Sequence, residues 1–281
     1  CALPICTELI INLVKTLVGH NEIVMTGWPT FIMYRLSILA QGRQEIAVPL
    51  NINLSYDLEE MARQLHSNLQ IKMLFIANPN NPTGTYIPKN DLLAFINNLR
   101  SDIVLVLDEA YFEYVEQKDY VNGLTIALKR PRTLVLRTFS KIHALAGIRL
   151  GYAVGDKDII AALNKILDPF STNSLAQVAA IQSLKDTNHI HKSIEHNRLI
   201  KPLLSSKLKE LGFMVNNSEG NFLLVKKADY MPSIANIYKQ LFKKGVIIRP
   251  LDAYDMPDYM RITIGTKDQV EHLIKELKMI V

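Results

Sequence analysis

A chain of 281 residues has room for one large or two ordinary domains and for a sizeable buried core. With 48% hydrophobic and 21% charged residues, the composition is that of a soluble globular protein, neither disordered nor fibrous. The net charge of +5 is scattered, with no Lys/Arg block, which argues against nucleic acid as a partner; no apolar run approaches the roughly 18 residues of a spanning helix, which argues against a membrane.

The opening CALPICTELIINLVKTLV has no basic leader, and Glu8, Asn12 and Lys15 interrupt it at helical spacing. An amphipathic helix over Glu8–Val18 is therefore expected rather than a signal segment. Cys1 and Cys6, the two cysteines of the chain, form neither a disulfide framework nor a metal-ligand spacing. They point to a reducing compartment, hence the cytoplasm. The chain has no initiator methionine and starts almost inside a helix, so a missing upstream segment is expected.

Short apolar runs then alternate with amphipathic segments. Strands are predicted at Glu22–Met25, Glu45–Val48, Lys72–Ala77, Ile103–Leu107 and Thr133–Leu136, and helices at Phe31–Ala40, Asp57–Leu65 and Lys89–Leu99. This rhythm predicts an α/β fold, a mostly parallel sheet with helices on both faces, whose ligands sit at the carboxyl ends of the strands. After residue 185 the character changes. A long polar helix at Asn188–Leu211 leads to short strands at Asn221–Lys226 and Tyr259–Ile264, with helices at Ser233–Lys243 and Lys267–Met279. The expected division is a large domain over 1–185 and a smaller α+β domain over 186–281.

Unusual segments follow three of the apolar strands directly. The run TLVLR leads into TFSKIHALAGIRLGY, which sets Lys141 among small and apolar residues in what reads as a core-like stretch. Desolvation or a neighbouring cation lowers the pKa of such an amine, making it a nucleophile for a carbonyl; a strand-end lysine reaching solvent is the plainer alternative. LVLDEAY ends an apolar strand with Asp108, a carboxylate that needs a cationic partner if buried; a helix cap or a metal carboxylate are the alternatives. Tyr111 is either a hydrogen-bond donor there or a packing aromatic. Asn78–Gly84, NPNNPTG, is a stiff loop suited to fixing the amide of Asn81, or simply a connection. Thr138, Ser140 and Arg149 make a plausible phosphate cradle. Arg261, in YMRITIG, is suited to clamping a carboxylate or is a surface cation. His143, Glu109, and His189, His191 and His196 read as packing, structural and surface residues.

Taken together, NNPTG, DEAY, SK followed by LAGIRLGY, and RITIGT resemble the fold-type I pyridoxal-phosphate aminotransferases in order and spacing, over essentially the whole chain. Within that group RTFSKIHALAGIR, the IIRP at Ile247–Pro250 and RITIGT are most similar to the histidinol-phosphate aminotransferases. The resemblance implies pyridoxal 5′-phosphate as cofactor and transamination between a phosphorylated amino alcohol and 2-oxoglutarate, giving glutamate, in a homodimer. By the same likeness Lys141 carries the cofactor as a Schiff base and shuttles a proton, and Asp108 pairs with the ring nitrogen. Asn81 and Tyr111 hold the phenolic oxygen, and Phe31 stacks on the ring. Thr7, Thr138, Ser140 and Arg149 surround the phosphate. Arg261 takes the substrate α-carboxylate, with Asn81 beside it, and Arg249 the substrate phosphate.

Three features depart from the family. Cys6-Thr7-Glu8 stands where a small residue, Asp and Glu are usual, after a stretch that lacks the expected glycine. Phe31 stands where tyrosine is usual. The N-terminal arm and the tyrosine loop that reaches the partner's phosphate have no counterpart, so low activity is expected. An aromatic or broad-specificity aminotransferase, a phosphothreonine-type decarboxylase and an inactive remnant remain alternatives. A dinucleotide-binding oxidoreductase or a P-loop nucleotidase lacks its glycine motif here, and a Schiff-base aldolase would not need DEAY or NNPTG.

Overall fold

The computed structural model describes residues 2–3 and 5–281, with side chains from Thr7 onward. Cys1 and the side chain of Cys6 lie outside the described residues.

The first half of the chain builds a seven-stranded sheet. Its strands are β1 (Ala2–Leu3), β2 (Ile23–Trp28), β3 (Gln44–Pro49), β4 (Ile71–Ala77), β5 (Val104–Asp108), β6 (Thr133–Thr138) and β7 (Gly151–Gly155), in the order β1-β7-β6-β5-β4-β2-β3. Strands β2 to β6 are mutually parallel, and β7 runs antiparallel between β6 and β1. The expected βα rhythm is present. Helices α1 (Ile5–Leu17), α2 (Met33–Ala40), α3 (Leu58–Ser67) and α4 (Lys89–Asn97) fill the predicted connections, while α5 (Gly123–Ala127), α6 (Lys157–Ile166) and α7 (Ser174–Lys185) are additional.

Alternation along each strand explains the two-faced core. Met73, Phe75 and Ala77 of β4, Val104 and Val106 of β5, and Leu134 and Leu136 of β6 pack with α1, α2 and α6 on one face. Leu74, Ile76, Leu105, Leu107 and Val135 pack with α3 and α4 on the other. Each fully buried Leu, Ile or Phe contributes about 1.5–3 kcal/mol of burial, so the sheet's interior is its most rigid part. Continuing the alternation past the last core residue places Asp108 and Thr138 on the α1/α2 face. The pairing Ala77 to Asp108 and Asp108 to Leu136 brings the carboxyl ends of β4, β5 and β6 side by side, as the sequence predicts.

The second half has its own sheet of four antiparallel strands, in the order β10 (Arg249–Pro250), β11 (Tyr259–Thr263), β9 (Phe222–Lys226) and β8 (Met214–Val215). It packs against α8 (Thr187–Glu210), α9 (Ile234–Lys243) and α10 (Lys267–Leu277) around Leu204, Leu208, Leu223, Val225, Leu241 and Leu277. Trp28, Ile32 and Leu54 beside the first sheet join Leu224, Leu251, Tyr254 and Met256 beside the second in one apolar cluster. Trp28 stacks on Tyr254 at 5.8 Å and donates from its indole nitrogen to Asp255 Oδ2 at 2.8 Å. Among the described residues no helix is long and apolar enough to cross a membrane.

Candidate active site

A cavity of about 460 Å³ opens where β4, β5 and β6 end and the second sheet meets the first. Every residue that the resemblance assigns to the site contributes to its wall: Thr7 and Phe31 from the α1 and α2 side, Asn81 after β4, Asp108 and Tyr111 from β5 onward, Thr138, Ser140, Lys141 and Arg149 from β6 onward, and Arg249 and Arg261 from β10 and β11.

Asp108 forms the floor. It is 4% exposed, its Oδ2 accepts from the Tyr34 hydroxyl at 2.7 Å, and its Oδ1 accepts from the Ala110 N–H at 3.0 Å. Burial pushes its pKa up, opposed by these two donors and by the charge of Lys141. Lys141 is half-buried in the turn after β6, its Nζ 5.2 Å from the centroid of the Tyr111 ring. Tyr111 is buried edge-on against Phe222 of β9 at 5.0 Å. The stretch around Lys141 is less core-like than its composition predicts. Phe139, Ile142, His143 and Leu150 are buried, but Ala144, Ala146, Gly147 and Arg149 are exposed, because the chain leaves the sheet after Thr138 and turns over its edge.

At the β6 end the Thr138 hydroxyl accepts from the Ser140 N–H at 3.0 Å, which tightens the turn into Lys141. The Ser140 hydroxyl is itself buried without a hydrogen-bond partner. A buried polar atom of that kind is costly unless a ligand completes it. Arg149, in the left-handed region with φ of 61°, turns its guanidinium back onto the Ala146 carbonyl at the same end. Thr7, in the first turn of α1, completes the wall at this end, and a helix start is a favourable place for an anion.

At the opposite end Arg261 donates from Nη1 to Asn81 Oδ1 at 2.6 Å and lies over the Phe222 ring at 5.2 Å. Its Nε is buried without a partner. Arg249 is its cross-strand neighbour in the β10–β11 pair, so two guanidinium groups border the cavity from one short ladder. Tyr254, buried and bonded to the Ile32 backbone, closes the wall between the two sheets.

The NPNNPTG loop divides its work between adjacent asparagines. Asn80 is the anchor: its Oδ1 accepts from Thr30 at 2.7 Å and from Tyr56 at 3.3 Å, and its Nδ2 donates to Thr83 Oγ1 at 2.9 Å and the Pro29 carbonyl at 3.1 Å. Asn81 is thereby left facing the cavity. Gly84 ends the loop with φ of 75°, and a Cβ there would meet Ser218 Oγ at 2.2 Å. Gly84→Ala is therefore expected to destabilise the fold by at least the roughly 1–2 kcal/mol cost of a left-handed residue, and to push Ser218 away. A thermal midpoint unchanged from the parent protein would contradict this.

Glu109, His143 and His189 are held by contacts outside the cavity. Glu109 faces away from the cavity and pairs with Arg137 at 2.7 and 3.1 Å, with the Gly123 N–H closing its other oxygen. His143 is buried against Phe139 and Ser183, where burial lowers its pKa. His189 is a correction to its reading as a surface residue: it is half-buried and its Nε2 lies 2.9 Å from the Ile142 carbonyl, tying α8 to the turn after Lys141. Tyr34 and Tyr254 were not singled out in the sequence. Tyr34 carried a signal, since it lies three residues after Phe31 in the helix expected from Phe31; the helix in fact begins at Met33, and the two rings meet edge-on across its start.

Known proteins resemble the chain over most of its length. The family model described as aminotransferase class I and II matches residues 3–277. The histidinol-phosphate aminotransferase of Anaeromyxobacter sp. (strain Fw109-5) is 37% identical over 271 residues, covering 96% of this chain and 73% of the relative. That of Caldicellulosiruptor saccharolyticus is 37% identical over 260 residues, covering 92% and 70%. The crystal structure of histidinol-phosphate aminotransferase from Sinorhizobium meliloti in complex with pyridoxal-5′-phosphate superposes with a TM-score of 0.93 at 23% identity, over 100% of this chain and 76% of that one. By family match, identity and coverage, the chain belongs to the class I and II aminotransferases, and within them it is similar to the histidinol-phosphate aminotransferases.

Proposed function

We propose that the protein is a pyridoxal-phosphate-dependent aminotransferase that moves the amino group of histidinol phosphate to 2-oxoglutarate, giving imidazole acetol phosphate and glutamate in histidine biosynthesis. The observation that carries this reading is one cavity joining a lysine, a buried carboxylate and two arginines of a separate sheet. The donor set suits the cofactor. The unpartnered Ser140 hydroxyl, Thr138, Arg149 and the α1 N-terminus with Thr7 fit a phosphate, and Asp108 fits a protonated ring nitrogen. Phe31 offers a ring face at the wall, though no hydroxyl. When bound, pyridoxal phosphate supplies the electron sink for the substrate's α-carbon.

Lys141 would hold the cofactor's aldehyde carbon until the incoming amino group displaces it, and its freed amine would then carry the proton that leaves and rejoins the substrate, as general base and then acid. Asp108 would keep a proton on the ring nitrogen, and Asn81 and Tyr111 would hold the phenolic oxygen. Arg261 would receive the α-carboxylate of glutamate or 2-oxoglutarate, the carboxylate-bearing partners of the reaction, in a fork whose Nη1 is already set by Asn81. Tyr254 and Ile32 line the cavity beside the arginines, where their apolar surface would help keep water from the reacting atoms.

Substrate class rests on Arg249. Its exposed guanidinium at the cavity rim suits a phosphate dianion, and charge-assisted bonds are worth about 1.5–3 kcal/mol each. Arg249→Ala is expected to weaken histidinol phosphate by roughly 10- to 150-fold while leaving glutamate less affected. A steady-state comparison of the two donors checks this. Equal losses for both would make Arg249 structural and return the aromatic or broad-specificity alternative.

The reading includes a cytoplasmic homodimer with domains divided at residues 185 and 186, where Asp186 ends α7 and caps α8. Support for the dimer comes from α7, which leaves Leu175, Val178, Ile181 and Leu184, spaced three residues apart, exposed. Exposed apolar residues repeated along one helix suit an interface, and twofold pairs are the commonest assemblies.

A further inference from the structure

Asp108 poses a physical problem that the functional reading leaves open. A fully enclosed carboxylate tends to take up a proton, and a neutral acid there could not oppose a cationic ring nitrogen. We infer that Tyr34 is a positioning residue for the reaction: its hydroxyl holds the Asp108 carboxylate in its ionised form and aimed into the cavity, and its ring makes that carboxylate and the Phe31 wall parts of one rigid unit. This inference rests on the pyridoxal-phosphate reading of the cavity.

The geometry supports each part. Tyr34 is 0% exposed and lies in the first turn of α2, stacked on Phe75 of β4 at 4.7 Å with an interplanar angle of 13°. Phe31 meets it edge-on at 5.6 Å and 89°. Neither ring can move without disturbing β4, the strand beside β5. From this fixed ring the hydroxyl donates to Oδ2 at 2.7 Å while the Ala110 N–H donates to Oδ1. Each oxygen thus has a donor that favours the charged state. The other groups acting on Asp108 are the Lys141 cation from the turn after β6, which favours the charge, and Glu109 on its own strand end, which opposes it. Tyr56, from the segment before α3, also senses its charge. Of the two hydrogen-bond donors to Asp108, the Tyr34 hydroxyl is the one a side-chain change removes.

Tyr34→Phe keeps the stacked ring and removes only the hydroxyl. The readout is equilibrium binding of two aldehydes to the cofactor-free protein: pyridoxal phosphate, and its analogue with the ring nitrogen replaced by carbon. Tyr34→Phe is expected to weaken pyridoxal phosphate by roughly tenfold and to leave the carbon analogue unchanged. In the loaded enzyme the low-pH limb of kcat should move to higher pH, because loss of a donor to the charged form raises the carboxyl's pKa. KM for the amino donor should hold. Equal effects on both aldehydes, or an unmoved limb, would reduce Tyr34 to packing and overturn the inference. Should Tyr34→Phe fail to fold, 3-fluorotyrosine at position 34, nearly the same shape but a stronger donor, is expected to move the limb to lower pH. An unmoved limb would again overturn the inference. A parent protein that binds neither aldehyde would instead overturn the functional reading on which it rests.

Discussion

Lys141→Ala is expected to abolish amino transfer and the covalent attachment of pyridoxal phosphate together. Among the described residues Lys141 is the lysine of the cavity wall, so no second amine stands ready to replace it. Loss of a positioned acid–base group alone costs roughly 10²–10⁴-fold, and in the proposed reading the same atom also holds the cofactor. The fold should not suffer. Lys141 is half-buried in a turn, outside the strands that carry the core, and substitutions at such places usually change stability by no more than about 0.5 kcal/mol. A single-turnover reaction with glutamate, alongside a thermal melt, separates chemistry from folding. Measurable turnover in a folded Lys141→Ala protein would remove the lysine from its role.

Asp108→Asn is expected to bind the cofactor but to slow the reaction by roughly 10²–10³-fold, the usual cost of losing one preorganised electrostatic partner. The end of the cavity proposed for the phosphate, lined by Thr7, Thr138, Ser140 and Arg149, is untouched by this change. Stability should move the other way from activity. Asp108 is fully enclosed, and exchanging a carboxylate for a neutral amide of the same shape removes the cost of burying a charge. Near-parental kcat, or a large fall in thermal midpoint, would contradict the assignment of Asp108 to the chemistry rather than the core.

The parts legible in the sequence were those where one physical signal dominated. IKMLFIA, IVLVL and TLVLR are continuous apolar runs because β4, β5 and β6 are covered on both faces. The polar residues that interrupt them at Asn78, Asp108 and Thr138 mark the strand ends where the cavity opens. Strand β7 was missed because GYAVG is short, glycine-flanked and half exposed, and owes its strand state to pairing with β6 on one side and β1 on the other. Helix α7 was missed because its apolar residues occur on both its buried and its exposed sides, which erases the helical period. β10 is two residues long, so nothing in the sequence revealed that Arg249 and Arg261 are cross-strand neighbours. Similarly, the contrast between Asn80 as anchor and Asn81 as cavity residue depends on Thr30 and Tyr56, which are distant in sequence. A tyrosine that supports a carboxylate looks, in sequence, like any packing aromatic. Only the 2.7 Å contact distinguishes Tyr34.

Borohydride reduction of the pyridoxal-phosphate-loaded protein, followed by peptide mapping, asks whether the cavity at the ends of β4, β5 and β6 is where the chemistry occurs. The phosphopyridoxyl group should be found on the peptide containing Ser140 and Lys141, and prior addition of histidinol phosphate should prevent its attachment. Label on a lysine away from this turn, or labelling indifferent to the substrate, would contradict the proposed site.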